Sequence, residues 1–180
     1  MSGFRPLGER LVHQGRVIRV VTGTFEAPDG STFERDIVRS PGAVAVVALD
    51  TTGSATLVRQ YRSALDDWLL ELPAGLLDVD GEDPLACAQR ELAEEVGLAA
   101  EHWERLCEFH NAAGQTDQQT IVFLAEGLTE VQPNPQSAEE HAMIVEHVPL
   151  ADAVHLISDG VVRDAKTCIG LLLARDRLRG

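Results

Sequence analysis

The sequence predicts an α/β fold: a mixed-sheet α/β/α sandwich, with helices outside a sheet core and a β-hairpin extension at the N-terminus. Three observations predict it. Apolar and β-branched runs at 17–25, 32–38, 43–49, 55–62, 103–110, 119–125 and 144–148 have strand length and are parted by turn residues. One sharply punctuated amphipathic helix interrupts them in mid-chain, and helical periodicity returns only near the C-terminus. The 180 residues suit one well-buried domain, with no internal repeat and no linker long enough to separate two.

Residues 1–15 carry few signals. Residues 17–25 read as a strand, and 32–38 as its return. Between them, Pro28 presets φ and Gly30 supplies positive φ for the turn. A lone hairpin is marginal in water, so it must lie on the main domain or on a partner subunit. Residues 1–39 are therefore set off as an extension and 40–180 as the main domain. After Ser40-Pro41-Gly42, the apolar run 43–49 reads as a buried strand, and Thr51-Thr52-Gly53-Ser54 turns it into 55–62. That strand ends in Arg59-Gln60-Tyr61-Arg62. Two arginines and a tyrosine there could hold a diphosphate and stack on a base; ordinary edge polarity is the alternative. Residues 68–72 lead into the central helix.

Asp83 is a good N-cap, Pro84 fits the first helical position, and Gly97 is placed to end the helix in a left-handed conformation. Leu85, Ala88, Leu92 and Val96 form its inward face. Beyond it come a strand at 103–110, a Gly-containing loop at 111–118 and a strand at 119–125. A polar loop around Gln132-Pro133-Asn134-Pro135 precedes a last strand at 144–148. Helical periodicity runs over 150–158 and 163–178, with Gly160 as a stop between.

Composition excludes several roles. A net charge of −14, with no basic tail or stripe, argues against nucleic acid or an anionic membrane as partner. A phosphate substrate would need metal ions and local arginines to approach. Cys87, Cys107 and Cys168 are scattered, with no zinc-ligand spacing, and an odd, sparse count suits a reducing cytoplasm. The N-terminus reads as no signal peptide, and no 18-residue apolar segment spans a membrane. The six histidines show no ligand spacing either.

The outer face of the central helix is the informative one. Glu91 and Glu95 lie one turn apart with Glu94 beside them. Like charges at that spacing cost a few tenths of a kcal/mol each, roughly. A helix that only packs gains nothing from them. Carboxylates on one rigid face are what a hard divalent cation needs. A solvated acidic face is the bland alternative.

The wider pattern is Gly75, Glu82, Arg90-Glu91-Leu92, Glu94-Glu95 and Gly97-Leu98. It resembles the signature box of the Nudix family, which hydrolyses nucleoside diphosphates linked to another moiety. The seven-residue gap before Arg90 and everything after it match. The first gap holds six residues rather than five, and the extra one falls in a loop, where an insertion costs little. Outside the box the chain is similar to the ADP-ribose pyrophosphatase branch, in its actinobacterial form. The residues that carry this are Val58-Arg59-Gln60-Tyr61-Arg62, Trp68 through Gly75, Glu139-Glu140, Val148-Pro149-Leu150 and Asp164-Ala165-Lys166-Thr167.

The resemblance implies hydrolysis of ADP-ribose to AMP and ribose 5-phosphate with two to three Mg²⁺ (or Mn²⁺) ions. It implies Glu91, Glu95 and the carbonyl of Ala74 as metal ligands, Glu94 as a ligand or a partner of Arg90, and Glu82 near the metals. Arg62 would hold the diphosphate, with Arg59 beside it, and Arg35 would meet the adenine. It further implies a homodimer in which the 1–39 extension is exchanged. One departure stands out. At the position aligned with the branch's general base, this chain has Gln118, which cannot accept a proton. Asp117 is adjacent but points elsewhere in an extended backbone; Glu139 or Glu140 could replace it, or metal-bound hydroxide could need no carboxylate base. Another nucleotide sugar or dinucleotide (GDP-mannose, NADH) remains an alternative substrate, and a nucleotide-binding sensor an alternative role.

Overall fold

The computed structural model describes residues 3–179. Chain contacts divide them into two compact units: the N-terminal residues to Gly42 with His110–Gln119, and Ala43–Phe109 with Thr120 onward.

The first unit is a three-stranded antiparallel sheet in the order β1 (Arg5–Gln14), β2 (Arg19–Glu26), β3 (Thr32–Arg39). The predicted hairpin is β2 and β3. Its turn closes through Ala27 N–H to the Ser31 carbonyl at 2.8 Å, with Gly30 at φ 81°. β1 is an addition to that expectation. Bulges at Pro6/Gly8 and Leu11/His13 break its side-chain alternation, and every residue of it is exposed, so no period-two signal could mark it. It carries Leu7, Leu11 and Val12 on the surface. The loop 110–119 runs along β3: Val38 N–H donates to the Gln115 carbonyl at 2.8 Å.

The second unit holds a seven-stranded mixed sheet. Its order is β10 (Ile144–Pro149), β5 (Ser54–Arg62), β4 (Ala43–Leu49), β9 (Gln119–Glu130), β8 (Leu98–His110). β6 (Asp67–Glu71) pairs with β5, and β7 (Ala74–Leu76) with β4. The β4–β9 pair is parallel and those of β4 and β5 with their other partners are antiparallel. β8 starts at Leu98, earlier than expected, because sheet pairing overrides the helix-favouring Ala99, Ala100 and Glu101.

β4 is the middle layer of the sandwich. Its continuous apolar run is buried on both faces. Val44, Val46 and Ala48 join Cys87, Ala88 and Leu92 of helix α1 (Pro84–Val96) in one core. Ala45, Val47 and Leu49 join the other core, with Ala153 of α3 (Ala153–Ser158) and Leu171 and Ala174 of α4 (Ala165–Arg177). A short α2 (Ala138–His141) lies in the loop before β10, and a 3₁₀ turn at Leu150–Asp152 leads into α3. No helix among the described residues is long and apolar enough to cross a membrane.

Candidate active site

α1 is built as its sequence dictates. The Asp83 side chain accepts the Leu85 N–H at 2.9 Å, Pro84 opens the helix, and Gly97 ends it at φ 66°, ψ 38°. This fixes Glu91, Glu94 and Glu95 on a rigid element beside Ala74 and Gly75 of strand β7. The Ala74 N–H donates to Glu95 Oε2 at 2.9 Å. A Cβ added to Gly75 would come 2.0 Å from Glu91 Cδ, so only glycine lets that carboxylate lie against the backbone. Burial pushes the Glu95 carboxyl up to about 8, and pushes Glu91 up as well; the charge of Glu140 adds to both.

Arg90 gathers the other acidic groups. Its Nε and Nη2 donate to the two oxygens of Glu82, both at 2.9 Å, and Nη1 donates to Glu91 at 2.6 Å and Glu94 at 3.2 Å. The Glu82 carboxyl is held below the usual range mainly by this fork. Among the described residues, no three acidic, His or Cys side chains are gathered closely enough to form a preformed metal cage. The donor set nevertheless fits a hard cation. It is all oxygen, and Glu95 is a half-buried carboxylate that accepts from a neutral amide, the Ala74 N–H, so a bound cation would supply its counter-charge. The Cys87 thiol, under Arg90, is pushed by burial to about 12 and is no nucleophile.

A second cluster adjoins β7. Glu71, at the end of β6, is 1% exposed. It accepts Arg62 Nε at 2.7 Å and Nη2 at 2.5 Å, and also Lys166 Nζ. Burial raises the Glu71 carboxyl, but the two cations outweigh it and leave it below its ordinary value. Arg62 and Glu95 also feel each other's charge. Arg59, in contrast, is engaged by Glu146 of β10, at 2.6 and 3.3 Å. Glu71 and Lys166 have no role in the motif. A lone acid between Leu70 and Leu72 in a strand entering the core was the available signal, since a buried charge demands a partner.

In the N-terminal unit, Gln118 closes its loop. Asn111 Nδ2 donates to its Oε1 at 2.7 Å, and its Nε2 donates to Ser40 Oγ at 3.3 Å and the Pro41 carbonyl at 3.4 Å. Asp117 accepts the Ser40 N–H at 3.1 Å and Arg39 at 3.0 Å. Burial raises its carboxyl, yet those partners hold it below the usual range. A cleft of about 510 Å³ lies in the same unit, walled by Phe4, Phe25, Phe33, Arg35 and Asp117 among others. The Arg35 guanidinium lies 4.8 Å over the Phe33 ring, which stacks on Phe25. Glu139 and Glu140 lie on α2. Glu140 is fixed in a capping box: Ser137 Oγ donates to its Oε1 at 2.8 Å and accepts its N–H at 3.1 Å.

A family model for the NUDIX domain matches residues 39–168. An ADP-ribose pyrophosphatase of Mycobacterium tuberculosis (strain ATCC 25618 / H37Rv) is 37% identical over 94% of this chain and 82% of its own length. An ADP-ribose pyrophosphatase of Bacillus subtilis (strain 168) is 35% identical over 93% of this chain and 90% of its own length. The fold is similar to that of a crystal structure described as an ADP compounds hydrolase, with a TM-score of 0.87 and 24% identity, covering 100% of this chain and 96% of the other.

Proposed function

This chain belongs to the Nudix family, and from that membership we propose that it is a metal-dependent pyrophosphohydrolase splitting ADP-ribose into AMP and ribose 5-phosphate. The observation that carries the reading is the half-buried pair Glu91 and Glu95, seated against strand β7 at Ala74–Gly75. Mg²⁺ or Mn²⁺, two to three ions per site, would be held by Glu91, Glu95 and the Ala74 carbonyl, with Glu94 and Glu82 behind them. Such ions neutralise diphosphate charge and lower the pKa of the attacking water.

The chain's own residues do the rest. Arg62 has its Nε–Nη2 edge on Glu71, which leaves the Nη1 side to meet the diphosphate. Arg90 draws Glu82, from before the helix, together with Glu91 and Glu94 of its second half. Water attacks one phosphorus, the bridging P–O bond breaks, and the bridging oxygen leaves on the other phosphate. We assign the water's proton to Glu140 of α2, whose charge bears on both Glu91 and Glu95. The Phe33–Arg35 wall suits stacking on a base. The exposed Leu7, Leu11 and Val12 of β1 support a second copy over the N-terminal sheet, hence a homodimer with an exchanged extension. Three free cysteines suit the cytoplasm.

Chromatography of a nucleotide panel incubated with Mg²⁺ or Mn²⁺ tests this. Wild type is expected to release AMP and ribose 5-phosphate from ADP-ribose. Glu95→Gln should abolish the reaction, Glu140→Gln should slow it about 10²–10⁴-fold, and Glu139→Gln should leave it near wild type. A wild type that binds a nucleotide tightly but releases no AMP overturns the proposal.

A further inference from the structure

The first turn of α4 reaches the site from outside the glutamate helix. Asp164 caps α4 by accepting the Thr167 N–H at 3.0 Å and the Thr167 hydroxyl at 2.6 Å. Thr167 Oγ1 in turn accepts the Leu72 N–H at 2.9 Å. Lys166 pairs with Glu71 and, at 3.1 Å, with Asp164. Thus Glu71 and Leu72 are both held by α4, and two residues later Ala74 meets Glu95. Pro73, between them, accepts Val46 N–H of β4 at 2.9 Å.

Charge arithmetic gives this clamp a further role. Glu71 and Asp164 carry two negative charges; Arg62 and Lys166 carry two positive ones. Arg62 is the outermost partner of Glu71, 37% exposed, while Lys166 is 14% and Glu71 1% exposed. With Lys166 present, the quartet is neutral and the exposed positive edge of Arg62 is not cancelled. Without it, Arg62 alone faces two carboxylates, and a diphosphate would approach a net negative cluster. Glu71 and Lys166 lie deeper than Arg62, so solvent screens their share of that difference least.

We propose that Lys166 is a positioning residue for diphosphate binding: by neutralising the Glu71–Asp164 pair it leaves the positive charge of the free edge of Arg62 available to the substrate. This rests on the reading of the site as a nucleoside-diphosphate hydrolase. It adds a residue whose ion pairs, with Glu71 and Asp164, lie outside the Glu82, Glu91, Glu94 and Glu95 set.

The test measures the Kd of ADP by calorimetry, with Mg²⁺ present, beside kcat and KM for ADP-ribose, on the full chain. Lys166→Gln is expected to weaken ADP and raise KM about tenfold, with kcat within about threefold, because uniform binding is lost. Lys166→Arg should restore most of it. Asp164→Asn, which leaves the quartet with one net positive charge, should bind ADP more tightly despite a weaker helix cap. If Lys166→Gln does not fold, the sign of the Asp164→Asn effect decides. Unchanged ADP affinity in Lys166→Gln, or equal losses in the Gln and Arg variants, overturns the proposal; so does weaker binding in Asp164→Asn. A wild type that binds ADP without hydrolysing ADP-ribose defeats the hydrolase reading, while the same pattern of ADP affinities would still uphold the role of Lys166.

Discussion

Gly75 shows how little room the site leaves. An added methyl group would lie 2.0 Å from the Glu91 carboxyl carbon, and the carboxylate, as the far end of a flexible side chain, would swing away. Gly75→Ala should therefore fold normally yet lose about 10²-fold in kcat, the usual penalty for an ångström-sized misplacement. Circular dichroism and steady-state kinetics check both halves. Gln118 teaches the opposite lesson. Its amide donates to the Pro41 carbonyl and to Ser40, so a carboxylate there would set acceptor against acceptor. Gln118→Glu is expected to lower stability by about 1–3 kcal/mol and to gain no rate. A faster enzyme in the initial-rate assay would show that the side chain swings free and acts as a base after all.

Among the elements, α1 was the most legible. Its cap, stop and inward face lie within fifteen residues of one another, and the spacing of its glutamates is itself the site. β4 was equally plain as an unbroken apolar run. β1 was not, because a strand with ten exposed residues and two bulges leaves no burial pattern to read. The Glu71–Lys166 contact was hidden for another reason: its partners are 95 residues apart, and nothing local links them. The N-terminal sheet carries its own expectation. With residues 1–39 deleted, any surface they cover is bared, and the protein should elute as aggregate rather than as monomer in size-exclusion chromatography. A soluble, active monomer would remove the case for an exchanged extension.

The whole protein should show its carboxylates in the pH dependence of its stability, with two opposite signs. Glu71 and Asp117 titrate below their ordinary values of 4.5 and 3.8. Their contribution is present above those values and is lost as pH falls through the folded-state values, so acid destabilises. Glu95 works the other way. Its folded-state value of about 8 lies above the unfolded 4.5. The folded state keeps a proton that the unfolded state has released, and stability declines as pH rises across that window, by about 1.4 kcal/mol per unit of separation. In a chelator, the melting temperature should fall by about 5 °C or more between pH 5 and 8, and Glu95→Gln should flatten the decline. A flat wild-type curve would mean that Glu95 is better solvated than its surroundings indicate.

The α4 clamp also bears on where this chain can be cut. Every residue of the recognisable signature precedes Ala99, so a fragment ending after β10 would still be identified by its motif. It would lack the Thr167 hydroxyl that Leu72 needs, the lysine that faces Glu71, and Leu171 and Ala174 from the core on that face of β4. Such a fragment would keep the signature without the scaffold that holds it. For anyone trimming the protein to a minimal catalytic unit, or judging truncated gene copies, the last turns of the chain are a better guide to competence than the signature itself.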